Sequence, residues 1–169
     1  MNNIILIGMP SSGKSTLGVL LAKLAGYDFI DTDLLIQKRA GKRLQCILDE
    51  DGKDAFMRLE EEVLCSLATE RTVIATGGSA VYHPEAMTHL ASLGKIVYLR
   101  VPYAFIERRL QNLATRGVVM AKGETLASLY ASRAPLYEKY AALTLDEGKD
   151  GKERDMSENA AELLRMLEL

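Results

Sequence analysis

Cysteine is scarce in this chain, positive charge is not in excess, and long apolar runs are missing. Two cysteines, Cys46 and Cys65, occur in 169 residues. They show neither CxxC nor Cys/His spacing, so no zinc site is written into them, and both read as helix residues of a protein in a reducing compartment. Lys and Arg total 21 against 23 Asp and Glu, a formal charge of −2. That balance supplies no global basic field for nucleic acid or an acidic membrane surface, and leaves small anions to a local basic cleft. No stretch approaches the ~20 apolar residues of a membrane span. The opening MNNIILIGMP has no basic segment and too short an apolar one for a signal peptide. The expected location is therefore cytoplasmic. Internal repeats and low-complexity tracts are also missing, and nothing in the surface pattern demands a partner, so a monomer is expected.

What is present is an ordinary globular balance, 48% apolar and 26% charged residues, over a length that suits one domain with a sizeable core. The most informative stretch is Ile4 to Thr16, IILIGMPSSGKST. Ile4 to Ile7 are consecutive aliphatic residues without polar alternation, as in a strand buried on both faces. Gly8 to Ser15 then fits G-x-x-x-x-G-K-[ST], a loop whose backbone N–H groups cradle phosphates. Gly8 and Gly13 permit the turns and the close approach, with Ser11 and Ser12 between them. Lys14 can reach the outer phosphates and the Ser15 hydroxyl can ligate Mg²⁺. After Thr16, Leu17, Leu20, Leu21 and Leu24 recur at helical spacing, so the loop opens a helix whose N-terminus favours phosphate. The alternative, a Gly/Ser-rich turn that binds nothing, has to ignore the strand before it and the helix after it.

Further along, Tyr27 to Ile30 reads as a second strand ending in Asp31-Thr32-Asp33. Ligands of open α/β sheets collect at the carboxyl ends of strands. Asp31 could serve Mg²⁺ and Asp33 a hydroxyl nucleophile, or the pair could simply cap the helix Leu34 to Ala40. Helical segments follow at Leu44 to Asp49 and Gly52 to Thr69. In the second, Phe56, Leu59, Val63, Leu64 and Leu67 form the apolar stripe, and Glu60, Glu61 and Glu62 read as a solvated acidic run. A third strand, Thr72 to Ala75, runs into Gly77-Gly78-Ser79, a place where a ligand approaches backbone or where the chain merely turns. A helix from Pro84 to Leu93, a strand from Ile96 to Leu99 and a helix from Ala104 to Leu113 come next. Thr115 to Gly123 looks mobile. In the helix from Glu124 to about Tyr140, Pro135 should kink or interrupt the chain. Ala142 to Leu145 could be a last strand, Asp146 to Asp155 a plain solvated loop, and Ser157 the cap of a final helix to Glu168. Strands alternating with helices predict an α/β fold with a parallel sheet covered on both faces, and one active-site edge at the strand ends.

Taken together, G8-MPSSGKST, Asp31-Thr32-Asp33, Thr76-Gly77-Gly78, Arg116 before an apolar pair, and Arg133-Ala134-Pro135-Leu136-Tyr137 resemble the shikimate kinases in order and spacing, over essentially the whole chain. The resemblance implies a single kinase domain, residues 1–169, of the nucleoside-monophosphate-kinase-like phosphate-loop fold with sheet order 2-3-1-4-5. It also implies a substrate-binding helical region at about residues 32–70 and a lid at about 113–124. By position, Gly8, Ser11, Ser12, Gly13, Lys14, Ser15 and Thr16 would hold ATP, with Ser15 and Asp31 on Mg²⁺ and Arg109 against adenine. Lys14, Asp33 and the lid's Arg116 would carry the chemistry. Asp33, Gly77, Gly78, Ser79 and Arg133 would meet the small-molecule substrate.

Three departures from the family pattern stand out. Its F-R-x-x-E is here Phe56-Met57-Arg58-Leu59-Glu60, so Met57 replaces a carboxylate-binding arginine. Arg58 is adjacent but points about 100° away on a helix. A hydrogen bond to a charged group is worth roughly 1.5–3 kcal/mol, so an uncompensated loss would weaken a carboxylate substrate about ten- to a hundredfold. Ser79 replaces the third glycine of the family's Gly-Gly-Gly, and the lid's R-P-L-L becomes Arg116-Gly117-Val118-Val119, without the proline constraint. The expected activity is ATP-dependent phosphorylation of shikimate. The alternatives are the same chemistry on another hydroxylated metabolite, prompted by Met57, and a nucleotide-binding module without catalysis.

Overall fold

A computed structural model of the chain describes residues 3–111, 123–148 and 151–169. Five strands, β1 (Asn3–Ile7), β2 (Asp28–Asp31), β3 (Thr72–Ala75), β4 (Gly94–Arg100) and β5 (Leu143–Asp146), form one parallel sheet in the order β2-β3-β1-β4-β5. This is the topology of the phosphate-loop, nucleoside-monophosphate-kinase-like fold. All five residues of β1 are buried, as a central strand with helices on both faces requires. Its alternate side chains serve two cores. Ile5 and Ile7 pack with Ile74, Ile96 and Tyr98 on one face, while Ile4 and Leu6 pack with Val73, Val97 and Leu145 on the other.

Helix α1 (Lys14–Ala25) and the last helix, α8 (Met156–Leu167), cover the second face. The first is covered by α4 (Lys53–Cys65), α5 (Pro84–Leu93), α6 (Tyr103–Gln111) and α7 (Leu126–Tyr140). A separate small core of Ile36, Ile47, Phe56 and Val63 holds α2 (Thr32–Ala40) and α4 together. Short α3 (Leu44–Cys46) and the π-helical turn Ile47–Asp51 lie between them. Both cysteines lie in helices and are free thiols. Among the described residues no helix is long and apolar enough to cross a membrane.

Several expectations from the sequence need correction. Helix α4 ends at Cys65 rather than Thr69, with Ser66 as its cap. Pro135 does not interrupt α7, which runs unbroken from Leu126 to Tyr140. The carbonyl that loses its helical donor there is that of Ala131, an exposed residue, so water can take it. Asp155, not Ser157, caps α8: its carboxylate accepts from the Ser157 N–H at 2.9 Å, and Glu158 reaches back to complete a capping box. Within the lid expected at 113–124, residues 113–122, Arg116 among them, lie outside the described residues.

Candidate active site

Strand register sets the site. Leu6 of β1 pairs with Ala75 of β3, and Ala75 with Asp31 of β2, so the three strands end at one level. The segments that follow them, 8–13, 32–33 and 76–79, therefore open side by side on the carboxyl edge of the sheet. Thr76 ties two of them together, donating from its N–H and its hydroxyl to the Leu6 carbonyl at 3.1 and 3.0 Å. The Gly77 N–H donates to the Thr32 hydroxyl at 3.3 Å, joining the third. A cleft of about 480 Å³ opens between them, with Lys14, Ser15, Asp31, Asp33, Gly77 and Arg133 among its lining residues.

The loop takes the shape an anion cradle needs. Gly8 (φ 149°) and Gly13 (φ 91°) lie in the left-handed region, as does Ser11 (φ 62°), a conformation unfavourable for a residue with a side chain. A Cβ at Gly8 would come 2.9 Å from the Leu99 carbonyl, so no other residue fits. Ser11 Oγ is buried and, among the described residues, has no hydrogen-bond partner. The Lys14 ammonium donates to the Gly8 and Met9 carbonyls at 2.9 and 2.8 Å, which holds the loop closed around its own cation. Ser12 is buried beneath the loop, 3.4 Å from the same ammonium, whereas Ser11, Gly13 and Thr16 face the cleft.

Asp31 does two things at once, so the structural and functional readings of Asp31-Thr32-Asp33 are not alternatives. One carboxylate oxygen accepts the Asp33 N–H at 3.0 Å and caps α2; the other accepts the Ser15 hydroxyl at 2.6 Å. A hydroxyl and a carboxylate side by side are hard oxygen donors of the kind Mg²⁺ uses. Among the described residues no cluster of three acidic, His or Cys side chains exists that could hold a metal alone.

The two glycines after β3 make room chiefly for the protein's own side chains. A Cβ at Gly77 would stand 2.6 Å from Oε1 of Glu60 and 2.9 Å from Oδ1 of Asp33, and one at Gly78 would stand 2.8 Å from Pro10 and 3.1 Å from Arg133. The Tyr137 phenol, pushed far above its ordinary pKa by burial, remains a donor and holds the Gly78 carbonyl at 2.6 Å. Gly77→Ala is accordingly expected to lower stability by about 1–3 kcal/mol, the usual cost of overpacking. Thermal unfolding checks this; an unchanged melting temperature would mean that the two carboxylates can move aside.

Glu60 is the residue the sequence reading missed. It is fully buried rather than part of a solvated acidic run, accepting the Ser79 hydroxyl at 2.9 Å, with His83 Nε2 3.0 Å from its other oxygen. Ser79 is thus turned toward Glu60 while still lining the cleft. Arg133 is buried, its guanidinium over the Tyr82 ring at 5.1 Å and its Nε donating to the Tyr82 hydroxyl at 3.2 Å. Met57 and Arg58 are not among the cleft's lining residues. Met57 packs against the small core, and Arg58 is exposed.

Arg109 stands beside the loop and outside the lining residues. Its guanidinium donates to the Ser11 carbonyl at 3.2 Å and to Glu153 at 2.7 Å, and it pairs with buried Glu147. Glu147 and Glu153, in the stretch that reads in sequence as a plain solvated loop, are therefore tied to the phosphate loop through Arg109. The hydrogen bond from Arg109 holds the Glu153 carboxyl below the usual range.

A phosphate loop abutting a carboxylate-bearing helix start, with a buried arginine across a small cleft, defines a phosphate-loop kinase for small molecules. Comparison with known proteins narrows the class. A family model described as shikimate kinase matches residues 10–167. The shikimate kinase of Nitrosomonas europaea is 40% identical over 153 residues, covering 87% of this chain and 71% of that protein. That of Thermobifida fusca is 36% identical over 162 residues, covering 95% and 91%. In structure, the chain is similar to a shikimate kinase from Acinetobacter baumannii in complex with shikimate, with TM-score 0.89 and 28% identity over 99% of this chain and 93% of that one. The chain belongs to the shikimate kinase family, whose members are ATP-dependent small-molecule kinases.

Proposed function

We propose that this protein transfers the γ-phosphoryl group of ATP to a hydroxyl of shikimate. The observation that carries the reading is the single cleft in which Lys14 and Ser15 of the loop face Asp33, Gly77 and Arg133. The backbone N–H groups of the loop, with Ser11 and Thr16, bind the phosphates, and Ser12 supports the loop from beneath. Lys14 leaves its loop carbonyls to neutralise the outer ones. Ser15 and Asp31 would hold Mg²⁺, which supplies charge neutralisation on the phosphates when bound. Arg133 takes the carboxylate of the acceptor. Asp33, its backbone fixed by Asp31, orients the acceptor hydroxyl and takes its proton as the new O–P bond forms and the bond to ADP breaks. Arg109 lies against the adenine, and Arg116, outside the described residues, completes the charge stabilisation from the lid. On this reading the protein acts in the cytoplasm as a monomer.

The test is ADP release from Mg-ATP by the purified protein over a wide shikimate range. Saturable, shikimate-dependent turnover is expected. ATP binding without any stimulation by shikimate would overturn the acceptor and move the reading to another hydroxylated metabolite, the outcome that Met57 favours.

A further inference from the structure

With Met57 in place of an arginine and Arg58 exposed outside the cleft, one expected cation of the acceptor site is missing from α4. The cleft nevertheless has a third basic lining residue besides Lys14 and Arg133, namely Arg43. It lies immediately before α3, in the connection that follows α2, and lines the cleft together with Gln37, Leu44 and Gln45. Its backbone is pinned. The Arg43 carbonyl accepts the N–H of Ile47, itself buried in the small core, at 3.1 Å, and the next N–H, of Leu44, donates to the Gln37 side chain at 3.3 Å. Its head group is not. The preceding Lys42 is engaged by Glu50 at 3.0 Å and Asp51 at 2.6 Å, whereas the exposed Arg43 guanidinium has no hydrogen bond or ion pair among the described residues. A fixed stem carrying an uncommitted planar fork at the mouth of a cleft is suited to a carboxylate ligand, which guanidinium meets with two parallel hydrogen bonds.

On the reading proposed above, we infer that Arg43 is the second cation for the acceptor carboxylate, replacing from the α2–α3 connection the group that Met57 removes from α4. Arg133 and Arg43 then engage the carboxylate from the buried and the exposed side of the cleft. Being exposed, Arg43 is screened more than Arg133 and contributes chiefly to acceptor affinity rather than to the chemical step.

The experiment is steady-state kinetics of the intact protein and of Arg43→Ala, Arg43→Lys and Arg58→Ala, with shikimate and with its methyl ester. Arg43→Ala is expected to raise KM for shikimate about two- to tenfold, the loss of one exposed and therefore screened charged partner. Its kcat and KM for ATP stay near those of the unsubstituted protein. Arg43→Lys recovers part of the loss, since it keeps the charge without the fork. With the methyl ester, which has no carboxylate charge, the difference between Arg43→Ala and the unsubstituted protein disappears. An unchanged KM for shikimate in Arg43→Ala, or a rise in Arg58→Ala instead, overturns the inference while leaving the kinase reading intact. Failure of the unsubstituted protein itself to turn over shikimate overturns the kinase reading, and Arg43's role with it.

Discussion

Asp33→Asn is expected to lower kcat by roughly 10²–10⁴ while leaving ATP binding within a few-fold of the unsubstituted protein. The substitution is isosteric and leaves the Asp33 N–H free to donate to Asp31 as before, at 3.0 Å. The start of α2, and with it the Ser15–Asp31 pair, should therefore keep its geometry. What is lost is the one function an amide cannot supply, acceptance of the hydroxyl proton, together with the orientation of the attacking oxygen by a charged acceptor. Phosphoryl transfer passes through a loose transition state with little bond formation to the nucleophile, so orientation accounts for much of the loss. Single-turnover kinetics with nucleotide titration separates the two steps. A kcat within about threefold of the unsubstituted protein would remove Asp33 from the chemistry, because even modest general-base assistance exceeds that factor.

The parts of this site that a linear reading finds are those whose geometry is local. Gly8 to Ser15 is a contiguous anion loop between a buried strand and a helix, and Asp31 to Asp33 lies at a strand end; both keep their spacing in the fold. Glu60 is different. Its neighbours Glu61 and Glu62 make it look like surface, yet it stands four residues after Phe56 and four before Leu64, on the buried stripe of α4. The helical period alone places its carboxylate inside, and a buried carboxylate demands partners. The same kind of signal exists for Asp155, which begins an Asp-x-x-Glu capping box ending at Glu158. No such signal exists for Arg43 or for Glu147 and Glu153. Only the packing of the small core brings Arg43 to the cleft, and the partner of Glu147 and Glu153, Arg109, lies far away in sequence. The glycine pair reads in sequence as a place of ligand approach or as a turn, and neither reading reveals that Glu60 and Asp33 converge on Gly77.

His83→Ala is expected to destabilise the protein by about 3–5 kcal/mol, because a hydrogen-bonding partner of a buried carboxyl group is lost together with the packing of the imidazole. Both residues are inaccessible: Glu60 is 0% exposed and His83 5%. Without the imidazole, Glu60 keeps only the Ser79 hydroxyl on one oxygen, and its other oxygen loses the partner it has at 3.0 Å. The backbone contribution of His83 is retained by alanine, since it consists of the N–H that donates to the Ala80 carbonyl at 3.1 Å and the carbonyl that accepts the Met87 N–H at 2.9 Å at the start of α5. For a chain of this length each kcal/mol moves the melting temperature by about 2–4 °C, so a fall of roughly 6–20 °C should be seen. The effect should reach the cleft as well, because Glu60 fixes Ser79 and packs against the space at Gly77. A double-mutant cycle with Glu60→Gln isolates the pair. In the Glu60→Gln background the carboxyl group that the imidazole serves is absent, and His83→Ala should cost less. Equal costs in the two backgrounds would show that His83 acts by filling space; a melting temperature within about 2 °C of the unsubstituted protein would show that it does not stabilise the fold at all.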